Sequence, residues 1–189
     1  MDNHTKFVIN SKEELSQKLI ECGVNSFDEA LTYIKKLPYG RNTNRSDYRL
    51  VLKEQKGTCS TKHAFLAEIA RQNNITNVKL FLGIYNMCEE NTQGVGSVLK
   101  KWQLTYLPEA HCYLKINNII TDITSNTISS KTFEESILIE EEITPNQIGS
   151  YKEKQHQFYL RQWIIKESIN YTFESIWKIR EACIKSLSQ

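Results

Sequence analysis

The stretch Lys56-Gly57-Thr58-Cys59-Ser60-Thr61-Lys62-His63-Ala64-Phe65-Leu66-Ala67-Glu68-Ile69-Ala70 decides how the rest of the chain is read. Gly57 and Thr58 interrupt the chain immediately before a cysteine. From Cys59 onward, apolar residues fall on most sides of a helix (Ala64, Phe65, Leu66, Ala67, Ile69, Ala70). A helix apolar nearly all round is a central, buried one. Thr58 suits the N-cap, because its hydroxyl can take one of the unpaired N–H groups of the first turn. Cys59 then occupies that first turn, where the positive end of the helix dipole and the free N–H groups favour a thiolate. The same N–H groups can hold an oxyanion formed by its attack. The plain alternative is that Cys59 is one more small buried hydrophobe, as most lone cysteines are.

Upstream, Ser11 with Glu14 three residues later has the capping-box pattern and predicts a helix over 11–22, with Leu15, Leu19 and Ile20 at helical spacing and Gly23 as its stop. Ser26 predicts a second cap, for a helix carrying Phe27, Ala30, Leu31 and Ile34 and ending before Pro38. Residues 37–46 read as a polar loop. Tyr48, Leu50 and Leu52 share one parity, so Tyr48 to Lys53 is expected to be a short extended piece. Downstream, Val78 to Tyr85 predicts a strand, 86–97 a loop with room for a helical turn, and 102–107 strand or irregular structure. Ser136 to Ile143 predicts another strand, followed by helices over Gln155–Glu167 and from about Thr172. The chain is expected to be a single α+β domain: a helical N-terminal arm (1–47), a core (48–143) of a cysteine-bearing helix packed on an antiparallel sheet, and C-terminal helices (144–189).

The clearest hairpin is Ala110-His111-Cys112-Tyr113-Leu114-Lys115-Ile116 and Ile119-Ile120-Thr121-Asp122-Ile123-Thr124 around Asn117-Asn118. Two asparagines suit the positive φ values of a two-residue turn. That register pairs Tyr113 with Asp122 and His111 with Thr124. His111 and Asp122 are then diagonal neighbours on one sheet face. Cys112 points to the other face, toward the core.

Composition narrows the classes. The 189 residues are 40% hydrophobic and 24% charged, with a formal net charge of only +2. This balance carries neither a nucleic-acid footprint nor a membrane-seeking patch, and no apolar run approaches a membrane span. The polar start Met1-Asp2-Asn3-His4-Thr5-Lys6 lacks the apolar core of a signal peptide. Five widely spaced cysteines (Cys22, Cys59, Cys88, Cys112, Cys183) without a CxxC pair suggest thiols in a reducing, cytoplasmic setting and no zinc site. No cofactor is implied.

A cysteine at the mouth of a buried helix, followed by a histidine and an aspartate on one face of a hairpin, is the arrangement a thiol nucleophile needs. Here the chain resembles the transglutaminase-like superfamily, distant relatives of papain. Residues Gly57 to Ala67 resemble its nucleophile helix, His111 to Ile116 its histidine strand, and Asp122-Ile123-Thr124 its "D-x-T" ending, in the family's order. The interval from His111 to Asp122 is shorter than the family commonly has, and Tyr113 stands where a Trp is usual.

The resemblance implies a papain-like core with a Cys59–His111–Asp122 triad. Cys59 would attack a carbonyl, His111 would move the proton, and Asp122 would orient His111. With water as acceptor, the expected activity is that of a peptidase or amidase on a peptide or amide substrate; with an amine it is transfer. The reading from another class is a protein- or ligand-binding module of the same fold without turnover. Among other polar residues, His63 is read as a packing histidine one turn from Cys59. His4 and His156 are read as solvated, Arg41 and Arg45 as surface arginines, and Glu140 to Glu142 as an exposed strand end. Asn44 and Gln55 are candidate oxyanion-hole side chains.

Overall fold

Side-chain capping fixes some helix starts in this chain and not others. Ser26 accepts the N–H of Glu29 while the Glu29 carboxylate accepts the N–H of Ser26, and this capping box opens α2 (Phe27–Lys36). At Ser11 the expected box does not form. The Ser11 hydroxyl accepts from Glu13 N–H and Glu14 pairs with Lys18 one turn on, so α1 begins later, at Glu14–Glu21. The predicted extended piece at Tyr48 is also replaced by helix. Asp47 accepts the N–H of Arg49 at 3.0 Å just before the short α3 (Leu50–Glu54), which has no side-chain cap and in which Val51, of the opposite parity, is the residue fully buried. Parity over six residues was too short a signal to separate strand from one helical turn.

The computed structural model describes residues 7–124 and 132–187; His4 lies outside them. Among the described residues the helices continue with α4 (Cys59–Gln72), α5 (Gly96–Lys101), α6 (Ser150–Lys166) and α7 (Phe173–Ser186). The strands are β1 (Val78–Met87), β2 (Leu107–Ile116), β3 (Ile119–Thr121) and β4 (Ile137–Ile143). They form one antiparallel sheet in the order β3-β2-β1-β4, so the class is α+β. No described helix is long and apolar enough to cross a membrane.

Contacts divide the chain into two compact units. The first comprises Met1–Phe81, Cys112–Asn126 and Glu142–Gly149; the second comprises Leu82–His111, Thr127–Glu141 and Ser150–Gln189. In the first, α4 packs against α1, α2, α3 and the 3₁₀ turn Pro145–Ile148. Every residue of α4 except Arg71 is buried, as its all-round apolar pattern predicts. Polar groups fasten the N-terminal helix to the end of α4: Ser16 donates to Gln72 Oε1 through N–H at 3.0 Å and hydroxyl at 2.8 Å. The β2–β3 ladder has the predicted register, Leu114 with Thr121 and Ile116 with Ile119, around Asn117 (φ 52°) and Asn118 (φ 64°).

In the second unit α7 packs on α5 and α6. Glu109 on β2, itself buried, receives two hydrogen bonds from the largely covered Arg180 guanidinium of α7. His156, expected in solvent, is 2% exposed. Its Nε2–H donates to Pro108 C=O at 2.9 Å, and its ring lies 5.4 Å from that of Trp177. The polar residues around His156 in sequence occupy other faces of α6, so local polarity was a poor guide to its burial.

Candidate active site

Cys59 is the first residue of α4, and the residues before it are shaped to place it there. Thr58 is extended (φ −91°, ψ 175°), as an N-cap must be. The tighter half of the cap is reversed from expectation. Thr58 N–H donates to Thr61 Oγ1 at 3.0 Å, whereas Thr61 N–H reaches Thr58 Oγ1 only at 3.5 Å. Thr61 in turn donates to Asn42 Oδ1 at 2.8 Å, and the buried Asn42 amide donates to Lys56 C=O at 3.0 Å. Asn42 thus ties the polar loop to the cysteine turn. Gly57 is required by close approach: a Cβ there would sit 2.9 Å from both Lys62 Cγ and Thr61 Oγ1. Cys59 is 9% exposed, and its Sγ lies 3.8 Å from Ser60 Oγ.

The next turn holds the chain segment that contains Asp122. His63 is fully buried, and both ring nitrogens are engaged by backbone. Ile123 N–H donates to Nε2 at 2.9 Å, so the ring proton is on Nδ1, from which it reaches Cys59 C=O at 2.8 Å. This is a neutral tautomer, and the 3.4 Å approach of Asp122 Oδ1 to Nε2 is a neighbouring contact rather than an ion pair. Beside it, the Lys62 ammonium donates to C=O of Leu37 at 2.6 Å and of Thr124 at 3.0 Å, with Lys35 C=O at 3.5 Å. Lys62 is 0% exposed. Burial lowers its pKa to about 8, against the pull of Asp122 and Cys59, which favour the charged form.

Asp122 lies just past β3, which ends at Thr121. Its Oδ1 accepts from both the N–H and the hydroxyl of Thr124, an aspartate turn that explains the D-x-T spacing. The expected ladder pairing therefore stops short of Asp122, and contacts to α4 take over from strand pairing in placing it.

His111 sits on β2 in the second unit, half-buried. Its ring packs edge-on against Phe133 (centroids 4.7 Å) and Tyr85 (5.9 Å), which themselves meet at 5.6 Å. The aromatic residues confine the imidazole to a narrow range of orientations. Cys59 and Asp122 belong to the first unit.

The two oxyanion candidates serve their own loops: Asn44 Oδ1 accepts from Ser46 N–H, and the Gln55 amide donates to Leu52 C=O. Lys62 and Asn42 were not singled out from the sequence. The available sign for Lys62 was a lysine inside a run predicted to be buried all round, three residues after the cysteine. Among the described residues no group of histidine, cysteine and carboxylate side chains is arranged to hold a metal. No protein-family model, curated protein or solved structure matches the chain.

Proposed function

We propose that this protein is a cysteine-dependent acyl-transfer enzyme of transglutaminase-like type, acting as a peptidase or amidase. The observation that carries the reading is Cys59 at the first position of a capped, buried 14-residue helix. In this mechanism the Cys59 thiolate attacks an amide carbonyl, and first-turn N–H groups stabilise the tetrahedral oxyanion. The resemblance, not a geometry, gives His111 the role of proton carrier and Asp122 that of its orienting carboxylate. A base in that role takes the thiol proton and returns it to the leaving amine. It then takes a proton from the water that attacks the acyl-thioester and releases the acid. Nothing in this scheme assigns a catalytic step to His63, whose two nitrogens are occupied by backbone partners.

The test uses the exposed Cys22 as an internal reference for labelling. Iodoacetamide labelling at about pH 6, read peptide by peptide by mass spectrometry, should modify Cys59 at least tenfold faster than Cys22, because the thiolate is the reacting form and the mechanism requires it at Cys59. His111→Ala should remove most of that advantage. Equal rates at Cys59 and Cys22 would sink the enzyme reading and leave a binding module.

A further inference from the structure

Lys62 is a fully buried charged side chain of α4 for which the triad has no use, and its surroundings are more specific than packing requires. It lies three residues after Cys59, on the same helical face. Its stem crosses Gly57 where no Cβ would fit. Its Nζ reaches the carbonyls of Lys35 and Leu37 at the C-terminal end of α2, where the helix dipole favours a cation. It also reaches Thr124 C=O, one residue from the Ile123 N–H that His63 holds. Three carbonyls ask for three donors. An ammonium has three; a neutral amine would turn a lone pair toward a carbonyl oxygen.

We infer that Lys62 is a positioning residue of the site: together with His63 it clamps the Asp122-Ile123-Thr124 backbone to the cysteine turn, and it keeps a fixed positive charge beside Cys59. The inference rests on Cys59 being the nucleophile. Lys62 does no covalent chemistry, because its ammonium N–H groups are held by the three carbonyls. Among the described residues its charge has no hydrogen-bonded carboxylate to cancel it, so it acts on the thiolate of Cys59 and on Asp122 through a weakly screened interior.

The experiment measures the pH profile of Cys59 labelling by iodoacetamide in the parent, Lys62→Met and His111→Ala. Lys62→Met should raise the midpoint of the profile by about one pH unit, a roughly tenfold slower reaction at pH 6. A purely structural role gives the opposite sign, since a loosened helix start exposes Cys59 and speeds labelling at every pH. An unchanged midpoint, or faster labelling, overturns the inference. If only His111→Ala moves the midpoint, the triad stands without Lys62; if only Lys62→Met does, the positioning role stands and His111 is not the base. Should Lys62→Met fail to fold, reciprocity supplies the second measurement. In protein carrying 13C-labelled lysine, the NMR titration midpoint of Lys62 should be lower in Cys59→Ala than in the parent. Identical midpoints overturn the inference.

Discussion

Each unit buries a long-chain cation, and the two are satisfied in opposite ways. In the first, the Lys62 ammonium is hydrogen-bonded by carbonyl oxygens of α2 and of Thr124. In the second, the Arg180 guanidinium donates through Nε and Nη2 to the two oxygens of Glu109, and through Nη1 to Glu181. A bidentate pair cancels its own charge, so its field fades within the pair. Carbonyl dipoles stabilise an ammonium without removing its net charge, which remains to act on neighbouring groups. The pair in the second unit is thus suited to holding α7 on β2. The carbonyl-bound ammonium in the first lies beside the residues proposed for chemistry.

The largest expected effect comes from breaking the ion pair. Arg180→Met leaves the buried Glu109 without its hydrogen-bonded guanidinium and should cost about 3–5 kcal/mol in urea unfolding at pH 7. The double variant Glu109→Gln/Arg180→Met should recover much of this, because neither charge is then stranded. Lys62→Met strands no carboxylate hydrogen-bonded to it, only unpaired carbonyls, and should cost less, about 1–3 kcal/mol. Equal losses for Arg180→Met and Lys62→Met would erase the distinction between the two sites.

The pH dependence should differ as well. Burial alone would raise the Glu109 carboxyl, but Arg180 outweighs it and holds it at about 2, against an ordinary 4.5. The unfolded carboxylate is protonated first on acidification, so this stabilisation is complete above pH 4.5 and is lost as pH falls toward 2. It amounts to about 3 kcal/mol. Burial lowers the pKa of His156 below its usual 6.5, so the unfolded chain gains that proton first and stability begins to fall as pH drops through 6.5. Lys62 has a slope of the same sign in an alkaline window: the cost of burying its charge is full below about 8 and is relieved as pH rises from 8 to 10.5. Urea unfolding of Glu109→Gln between pH 2 and 5 should show a flatter slope than the parent. A slope equal to the parent's would remove Glu109 from the acid response.

What the sequence made legible was what short-range chemistry decides. Ser26 as a cap, the helix start near Thr172, the Asn117-Asn118 turn, the β2–β3 register and the burial of α4 all follow from residues within a turn or two of one another. What escaped was set by partners distant in the chain. Lys62 finds its carbonyls 25 and 62 residues away, and Glu109 finds Arg180 71 residues away. No local pattern predicts that a lysine in an apolar run will meet carbonyls at a helix end, or that His156 amid polar residues will turn inward. Asp122 shows both regimes. Its place close after the hairpin strand was legible, while its turn with Thr124 and its placement by His63 and Lys62 were not.

The smallest expected effect compares the caps of two helices, one in each unit. At α7 the cap is conventional: Thr172 Oγ1 accepts from Ser175 N–H at 3.2 Å. Thr172→Ala should therefore cost about 1 kcal/mol. At α4 the matching bond from Thr61 N–H to Thr58 Oγ1 is stretched to 3.5 Å, and Thr61 Oγ1 has taken over by binding Thr58 N–H and Asn42. Thr58→Ala should then cost less than Thr172→Ala, about 0.5 kcal/mol. Thr61→Ala should exceed both, at about 1–3 kcal/mol, because it leaves Thr58 N–H and the buried Asn42 Oδ1 without their partner. Urea unfolding of the three variants orders them directly. If Thr58→Ala proves the most costly, the Thr58 hydroxyl carries the cap in solution, and the link through Thr61 to Asn42 contributes little to holding Cys59 in the first turn.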